Sequence, residues 1–174
     1  NWEEIYNFGK ENNLQIIEDS ADTIGYEYQS NINHWSDIST TSFYASHVIT
    51  GAGFGGMALF DRQKDYEYAL SLRGWGRRSC QYGETEDFKR RFSAKVDGLY
   101  YDDKYIFDDI GYNFMPSEIS AAFALIQLEK LSINLRKRNS NYLYLKQMLS
   151  ESNNIHVPTS YTNVVTGWLA FPLI

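Results

Sequence analysis

Leu14-Gln15-Ile16-Ile17-Glu18-Asp19-Ser20 is a short apolar run that ends in an acidic turn, and its reading decides the fold. Just before it, Trp2, Ile5, Tyr6 and Phe8 fall at helical spacing within the stretch from Trp2 to Asn12. Leu14 to Ile17 predicts a buried strand, and Glu18-Asp19-Ser20 a polar turn at its carboxyl end. Helix, strand and polar strand end together form an α/β pattern, and the carboxyl ends of such strands are where open parallel sheets bind ligands.

The pattern continues downstream. Residues 29 to 37 predict a polar loop, Ile38 to Phe43 the next strand, Met57 to Phe60 another, and Asp61 to Arg73 a helix. Gly74 to Asp109 is rich in Gly, Arg, Tyr and Asp with little periodicity, which predicts a long loop region with room for a hairpin. Pro116-Ser117-Glu118 starts a helix, with a hydroxyl at the cap and an acid near the positive end of the dipole. That helix runs through the alanine-rich stretch from Ile119 to Leu131 and past Arg136 to Met148 and Leu149. A helix of this length often bridges domains. The expected division is therefore 1–131 as part of a large domain, with 132–174 as linking helix and start of a smaller one. Gly167 to Ile174 reads as a strand, and the chain as an internal fragment.

Composition narrows the function classes. At 174 residues there is length for one core, or for one domain plus part of another. Hydrophobic content of 43% and charged content of 22% are those of an ordinary globular protein. The net charge of −6 offers no basic stripe to offset phosphates, which argues against nucleic acid as a partner. The compact basic run Arg136-Lys137-Arg138 reads as a solvated helix face. The 14 tyrosines suit either a core or a cleft. One cysteine, Cys80, excludes a disulfide framework within the chain. No apolar stretch is long enough to span a bilayer, so no membrane role and a cytoplasmic location are expected.

Between the second and third expected strands lies Ser42-Phe43-Tyr44-Ala45-Ser46-His47-Val48-Ile49-Thr50-Gly51, followed by Gly53, Gly55 and Gly56. Gly51, Gly53 and Gly56 formally match a dinucleotide fingerprint, but the run leads into a strand where that fingerprint needs a helix. Glycines that allow a tight turn beside a ligand are the better reading. Alone, Asp19 is as readily a turn cap as a ligand, Ser42 a strand serine satisfied by backbone, and Asn113 a turn residue.

Taken together and in order, these segments resemble the DegT/DnrJ/EryC1/StrS sugar aminotransferases, over Trp2 to about Leu149. The resemblance implies the type I fold of pyridoxal-phosphate-dependent transferases, with an aspartate aminotransferase-like large domain. Ile17-Glu18-Asp19-Ser20-Ala21-Asp22 is similar to the family segment whose aspartate pairs with the pyridinium nitrogen, which implies that role for Asp19. Asp22 falls where the family usually carries Gln or His beside the ring's 3-hydroxyl. Ser42 matches the serine that hydrogen-bonds the cofactor phosphate. Gly111-Tyr112-Asn113-Phe114, ahead of Pro116-Ser117-Glu118 and Gln127-Leu128, matches the motif whose asparagine reaches the neighbouring subunit's cofactor. A homodimer with shared sites is thereby implied.

His47 stands where this family carries the lysine that holds the cofactor covalently. An imidazole cannot form that bond, but it moves protons near neutral pH. Ser42 to Thr50 is similar to Ser-Phe-Tyr-Pro-Ala-His-His-Ile-Thr of the nucleotide-sugar 3-dehydratases. The resemblance implies pyridoxamine 5'-phosphate (interconverting with pyridoxal 5'-phosphate) bound non-covalently, a nucleotide-linked 4-keto-6-deoxyhexose as substrate, glutamate as amino donor, and His47 as acid and base. One branch of that group carries an iron–sulfur cluster near a Trp-Gly-Arg segment, here Trp75-Gly76-Arg77. With Cys80 as the lone cysteine, four cluster ligands are lacking, so the cluster-free branch is expected. That branch hydrolyses the product enamine to a 3-deoxy sugar and recovers the amine from glutamate.

The chain departs from the pattern in places. Gly51-Ala52-Gly53-Phe54-Gly55-Gly56 replaces Gly-Glu-Gly-Gly, and Ser46 and Val48 replace Ala and a second His. Two alternatives stand beside the dehydratase. One is an aminotransferase with a displaced lysine, Lys64 or Lys104 being nearest downstream; the other is a non-catalytic dimerising relative.

Overall fold

The computed structural model describes residues 1–28, 35–83, 85–158, 161 and 164–174. In chain order its elements are α1 (Trp2–Glu11), β1 (Ile17–Asp19), β2 (Glu27–Tyr28), β3 (Ile38–Ser42), β4 (Gly56–Phe60), α2 (Gln63–Arg73), α3 (Phe88–Arg91), β5 (Ala94–Val96), β6 (Leu99–Tyr101), α4 (Glu118–Leu149) and β7 (Val164–Val165). They form two compact units, one of residues 1–59 and 117–174, the other of residues 60–116.

In the first unit the sheet order is β1-β3-β4. β1 and β3 are parallel, with Ile17 opposite Ile38, Glu18 opposite Ser39 and Asp19 opposite Thr40. Parallel pairing puts the carboxyl ends of both strands on one edge, where Asp19 and Ser42 finish. Asn13, at φ 52°, ends α1 in the left-handed conformation that Asn tolerates. The expected strand at Leu14 to Ile17 moves to Ile17–Asp19. Its start is set by the partner: the carbonyl of Ile16 accepts from the backbone N–H groups of Asp37 and Ile38, at 2.9 and 3.3 Å. The Asp37 carboxylate accepts from Ile16 N at 2.8 Å. Ile17 is exposed rather than buried. Most of the loop expected from 29 to 37 lies outside the described residues.

α4 is one continuous helix of 32 residues, longer than the alanine-rich stretch alone. Ser117 is its N-cap by position, without a side-chain capping bond. Tyr142, 3% exposed, anchors the helix. Trp168 stacks on it at 3.7 Å and 4°, Phe171 lies 5.3 Å away, and the Tyr142 hydroxyl donates to Pro158 O at 3.2 Å. Gly167–Ile174 is therefore no strand: Trp168 sits at φ 45°, incompatible with extended backbone, and the aromatic side chains pack on α4. Arg138 leaves the solvated face, its Nη1 donating to the carbonyls of Trp168 and Leu169 at 3.3 and 3.4 Å. A short antiparallel pair, Glu27 with Val165 and Tyr28 with Val164, was not legible in the sequence.

The second unit holds the hairpin, β5 against β6, with Asp97 at φ 50° and Gly98 at φ 82° in its turn. Its scaffold is a knot of backbone around Gly76. Trp75 N donates to Tyr112 O at 2.8 Å and Tyr112 N to Leu72 O at 2.6 Å. A Cβ on Gly76 would stand 1.9 Å from Asp109 O, so no other residue fits. Arg91 bridges Asp102 and Glu86, and Arg78 clasps Asp108. Cys80 packs its sulfur toward the Gly74 carbonyl, at 3.8 Å. No helix among the described residues is long and apolar enough to cross a membrane.

Candidate functional site

The site residues of the first unit gather where β1 and β3 end. After Ser42 the chain makes a tight turn, His47 N donating to Tyr44 O at 3.0 Å. Val48 and Ile49, 7% and 2% exposed, pin the turn from inside and leave His47 in front of them. The glycines then bring the chain back. Gly51 N donates to Phe43 O at 2.8 Å and Phe43 N to Gly55 O at 2.9 Å. Gly53, at φ 93°, donates its N–H to Thr50 Oγ1 at 3.0 Å. A Cβ on Gly51 would meet Phe54 O at 2.3 Å, which explains the glycine there without a nucleotide.

His47 points at the loop that follows β1. Its Nε2 lies 2.9 Å from Asp22 Oδ1, with the imidazole 16% and the Asp22 side chain 59% exposed. An ionised carboxylate only accepts, so a proton on Nε2 is what would make this contact a hydrogen bond. Nδ1 is buried with no hydrogen-bond partner among the described residues. Enclosed in this way, that atom is closed to a ligand, and Nε2 is the ring nitrogen that meets Asp22. The ring of Tyr44 stands edge-on, 6.0 Å away at 67°.

Asp19, exposed at the end of β1, accepts from Ala21 N through Oδ1 at 3.1 Å, and Oδ2 has no partner among the described residues. Ser42 Oγ accepts from Tyr44 N at 3.2 Å, so its O–H remains able to donate. Asn113 belongs to the second unit. There its backbone bridges Gly74, between the Tyr112 carbonyl that accepts from Trp75 N and the Phe114 N–H that donates to Arg73 O at 3.0 Å. Its side chain is exposed with no partner among the described residues. The structure thus joins His47 to Asp22 directly and sets Asp19 and Ser42 on the same sheet edge, with Asn113 described in its own unit. Of the two downstream lysines, Lys64 is exposed in the first turn of α2, and Lys104 pairs with Glu86.

One group escaped sequence reasoning. Glu18, next to Asp19, turns to the other face of β1, as strand alternation requires. Its Oε1 accepts from the hydroxyls of Ser20 and Tyr26, the latter at 2.7 Å, and its Oε2 from Ser36 Oγ at 3.2 Å. Burial first, and then the Glu18 carboxylate, push the Tyr26 phenol well above the ordinary tyrosine range, so it stays a donor. Neither Tyr26 nor Ser36 lies in a recognisable motif; the strand period alone could have placed Glu18 opposite Asp19.

Comparison with known proteins gives the fold and the family. The dTDP-4-dehydro-2,6-dideoxy-D-glucose 3-dehydratase of Saccharopolyspora spinosa is 33% identical over 175 residues, covering 98% of this chain and 38% of that protein. The lipopolysaccharide biosynthesis protein RfbH of Salmonella typhimurium is 32% identical, covering 99% of this chain and 40% of that protein. The chain thus spans about two fifths of the length of these relatives. The solved structure of Escherichia coli GDP-4-keto-6-deoxy-D-mannose-3-dehydratase with bound hydrated PLP superposes with a TM-score of 0.78 at 22% identity, over 100% of this chain and 43% of that one. The fold is therefore that of the PLP-dependent aminotransferases. With its family profile matched over residues 1–174, the chain belongs to the DegT/DnrJ/EryC1/StrS aminotransferase family.

Proposed function

We propose that the protein is a pyridoxamine-phosphate-dependent 3-dehydratase acting on a nucleotide-linked 4-keto-6-deoxyhexose in deoxysugar or surface-polysaccharide synthesis. The carrying observation is a histidine, not a lysine, at the cofactor turn, tied through Nε2 to Asp22 with Nδ1 left unpartnered.

The residues fit the cofactor by what each has left to offer. Asp19 Oδ2 is available to accept the pyridinium N–H, and the Ser42 hydroxyl to donate to a phosphate oxygen. The exposed Asn113 amide is suited to the phosphate of a neighbouring subunit's cofactor, which makes a homodimer part of this reading. Asp22 orients His47. When bound, the cofactor supplies an amine for the sugar's 4-keto carbon and a ring that accepts an electron pair.

His47 takes the proton that must leave as the C3 hydroxyl departs, and Asp22 Oδ1, 2.9 Å from Nε2, orients the ring. The half-buried imidazole limits access of water to that proton. Net, C3 loses its hydroxyl as water, nitrogen leaves as ammonia on hydrolysis, and glutamate restores the amine and the two electrons, becoming 2-oxoglutarate. In the whole protein, residues 1–131 are assigned to the large domain and 132–174 to the entry into the smaller one. Its place of work is the cytoplasm.

The test is product analysis on the full-length protein with pyridoxamine phosphate, L-glutamate and candidate nucleotide-linked 4-keto-6-deoxyhexoses. A 3-deoxy-4-keto sugar with one ammonia and one 2-oxoglutarate per turnover supports the reading. A 4-amino sugar would make the protein an aminotransferase, and neither product a non-catalytic relative.

A further inference from the structure

Asp22 makes the contact that orients His47, yet it is a largely exposed residue on the loop between β1 and Tyr26, and this contact is the one its side chain makes among the described residues. What fixes that loop therefore fixes the imidazole. The loop leaves β1 at Ser20 and closes two turns, Thr23 N donating to Ser20 O at 3.3 Å and Tyr26 N to Thr23 O at 3.1 Å. Its two ends, Ser20 and Tyr26, both donate their hydroxyls to one oxygen, Oε1 of Glu18. The other oxygen takes Ser36 Oγ. The β3 side adds Ser20 N to Thr40 O at 2.8 Å and Thr41 Oγ1 to Ser20 O at 3.1 Å, which hold the first end only. The Tyr26 end is held by Glu18 and, one residue on, by the pairing of Glu27 with Val165.

We infer that Glu18 is a positioning residue for His47: its carboxylate staples both ends of the 20–26 loop, so that Asp22 Oδ1 meets Nε2 and the ring is held in one tautomer. The inference rests on the reading of His47 as acid and base, but not on the identity of the reaction. Successive residues on β1 then have opposite duties. Asp19 faces the ligand edge, and Glu18 braces the same site from behind.

The experiment is ¹⁵N NMR of imidazole-labelled full-length protein at fixed pH, with His47→Ala assigning the signal and the two ring nitrogens reporting the tautomer. The expected wild-type result is one tautomer, protonated at Nε2. Glu18→Ala loses it to a mixture, whereas Glu18→Gln retains it, because the amide oxygen still accepts Ser20 and Tyr26 while the amide nitrogen can donate to Ser36. Tyr26→Phe, which removes one staple at constant volume, gives a partial loss and carries the test should Glu18→Ala not fold. In an Asp22→Ala background, itself mixed, Glu18→Ala adds nothing. A single tautomer preserved in Glu18→Ala, or in Tyr26→Phe if that variant alone folds, overturns the inference, as does an additive effect without Asp22. Since no substrate enters the measurement, a failure here is separate from a failure of the dehydratase reading, which product analysis decides.

Discussion

His47 and Asp22 meet at 2.9 Å through Nε2 and Oδ1, and this one contact orients the imidazole. It also turns the imidazole toward the loop that follows β1, out of the turn that Val48 and Ile49 anchor. A histidine pointing into solvent would have no such orientation to offer. Removing the ring while keeping a polar side chain is therefore the cleanest perturbation. In His47→Asn, turnover of the full-length enzyme is expected to fall by about 10²–10⁴-fold, the usual worth of a positioned acid–base group. Affinity for pyridoxamine phosphate should stay within a few-fold. Equal loss of binding and turnover would make His47 a cofactor ligand instead.

Ser42 and Asn113 carry the opposite expectation. A hydrogen bond to a charged group is worth about 1.5–3 kcal/mol, so Ser42→Ala should raise the Kd for the phosphorylated cofactor by roughly 10–100-fold. Asn113→Ala should do the same, and turnover at saturating cofactor should change little for either. Calorimetric titration of the full-length variants measures both. An unchanged Kd would return these residues to turn and strand roles.

Two glycines separate backbone conformation from backbone contact. Gly53 has φ 93° with open space where a Cβ would stand, so Gly53→Ala should cost only the strain of the left-handed conformation, about 1–2 kcal/mol. Gly76 has φ 80° and a carbonyl 1.9 Å from its would-be Cβ. Gly76→Ala should exceed that cost clearly, reaching about 4 kcal/mol or abolishing folding of the second unit. Urea denaturation of the two variants checks the order; equal losses would mean that the Asp109 backbone yields easily.

Tyr82 predicts an alkaline limb. Burial, and then the hydroxyl's bond to the Asp103 carboxylate, push its phenol from 10.0 up to about 12. The raised value means that the folded chain holds the proton more tightly. That stabilisation is complete below the ordinary tyrosine value and is lost as pH rises from 10.0 through about 12. Tyr82→Phe should flatten the fall in stability across this window and delete a late-ionising component from the ultraviolet tyrosinate titration. An identical titration curve would contradict the contact.

Legibility differed between elements for physical reasons. β3, β4, α2 and α4 follow from their own residues, because apolar runs, caps and alanine content are local properties. β1 moved because a parallel strand begins where its partner begins, and Ile38 is not visible from Leu14. The pair of Val164–Val165 with Glu27–Tyr28 is too short to show a period. Gly167–Ile174 misled because apolar, aromatic residues suit a strand and a helix-packing cap equally; Trp168 stacked on Tyr142 chose the cap. At the site, the roles proposed for Asp19, Asp22, Ser42, His47 and Asn113 come from family likeness alone. Glu18 and Tyr26 were not legible, because their link is made across a loop and leaves no local pattern.

The central claim is that His47 has replaced a covalent anchor by proton transfer. Borohydride treatment of the full-length protein saturated with pyridoxal phosphate, followed by intact and peptide mass analysis, addresses it directly. The account predicts an unchanged protein mass and cofactor that washes away. A cofactor-sized increment on a lysine, Lys64 or Lys104 included, would contradict it.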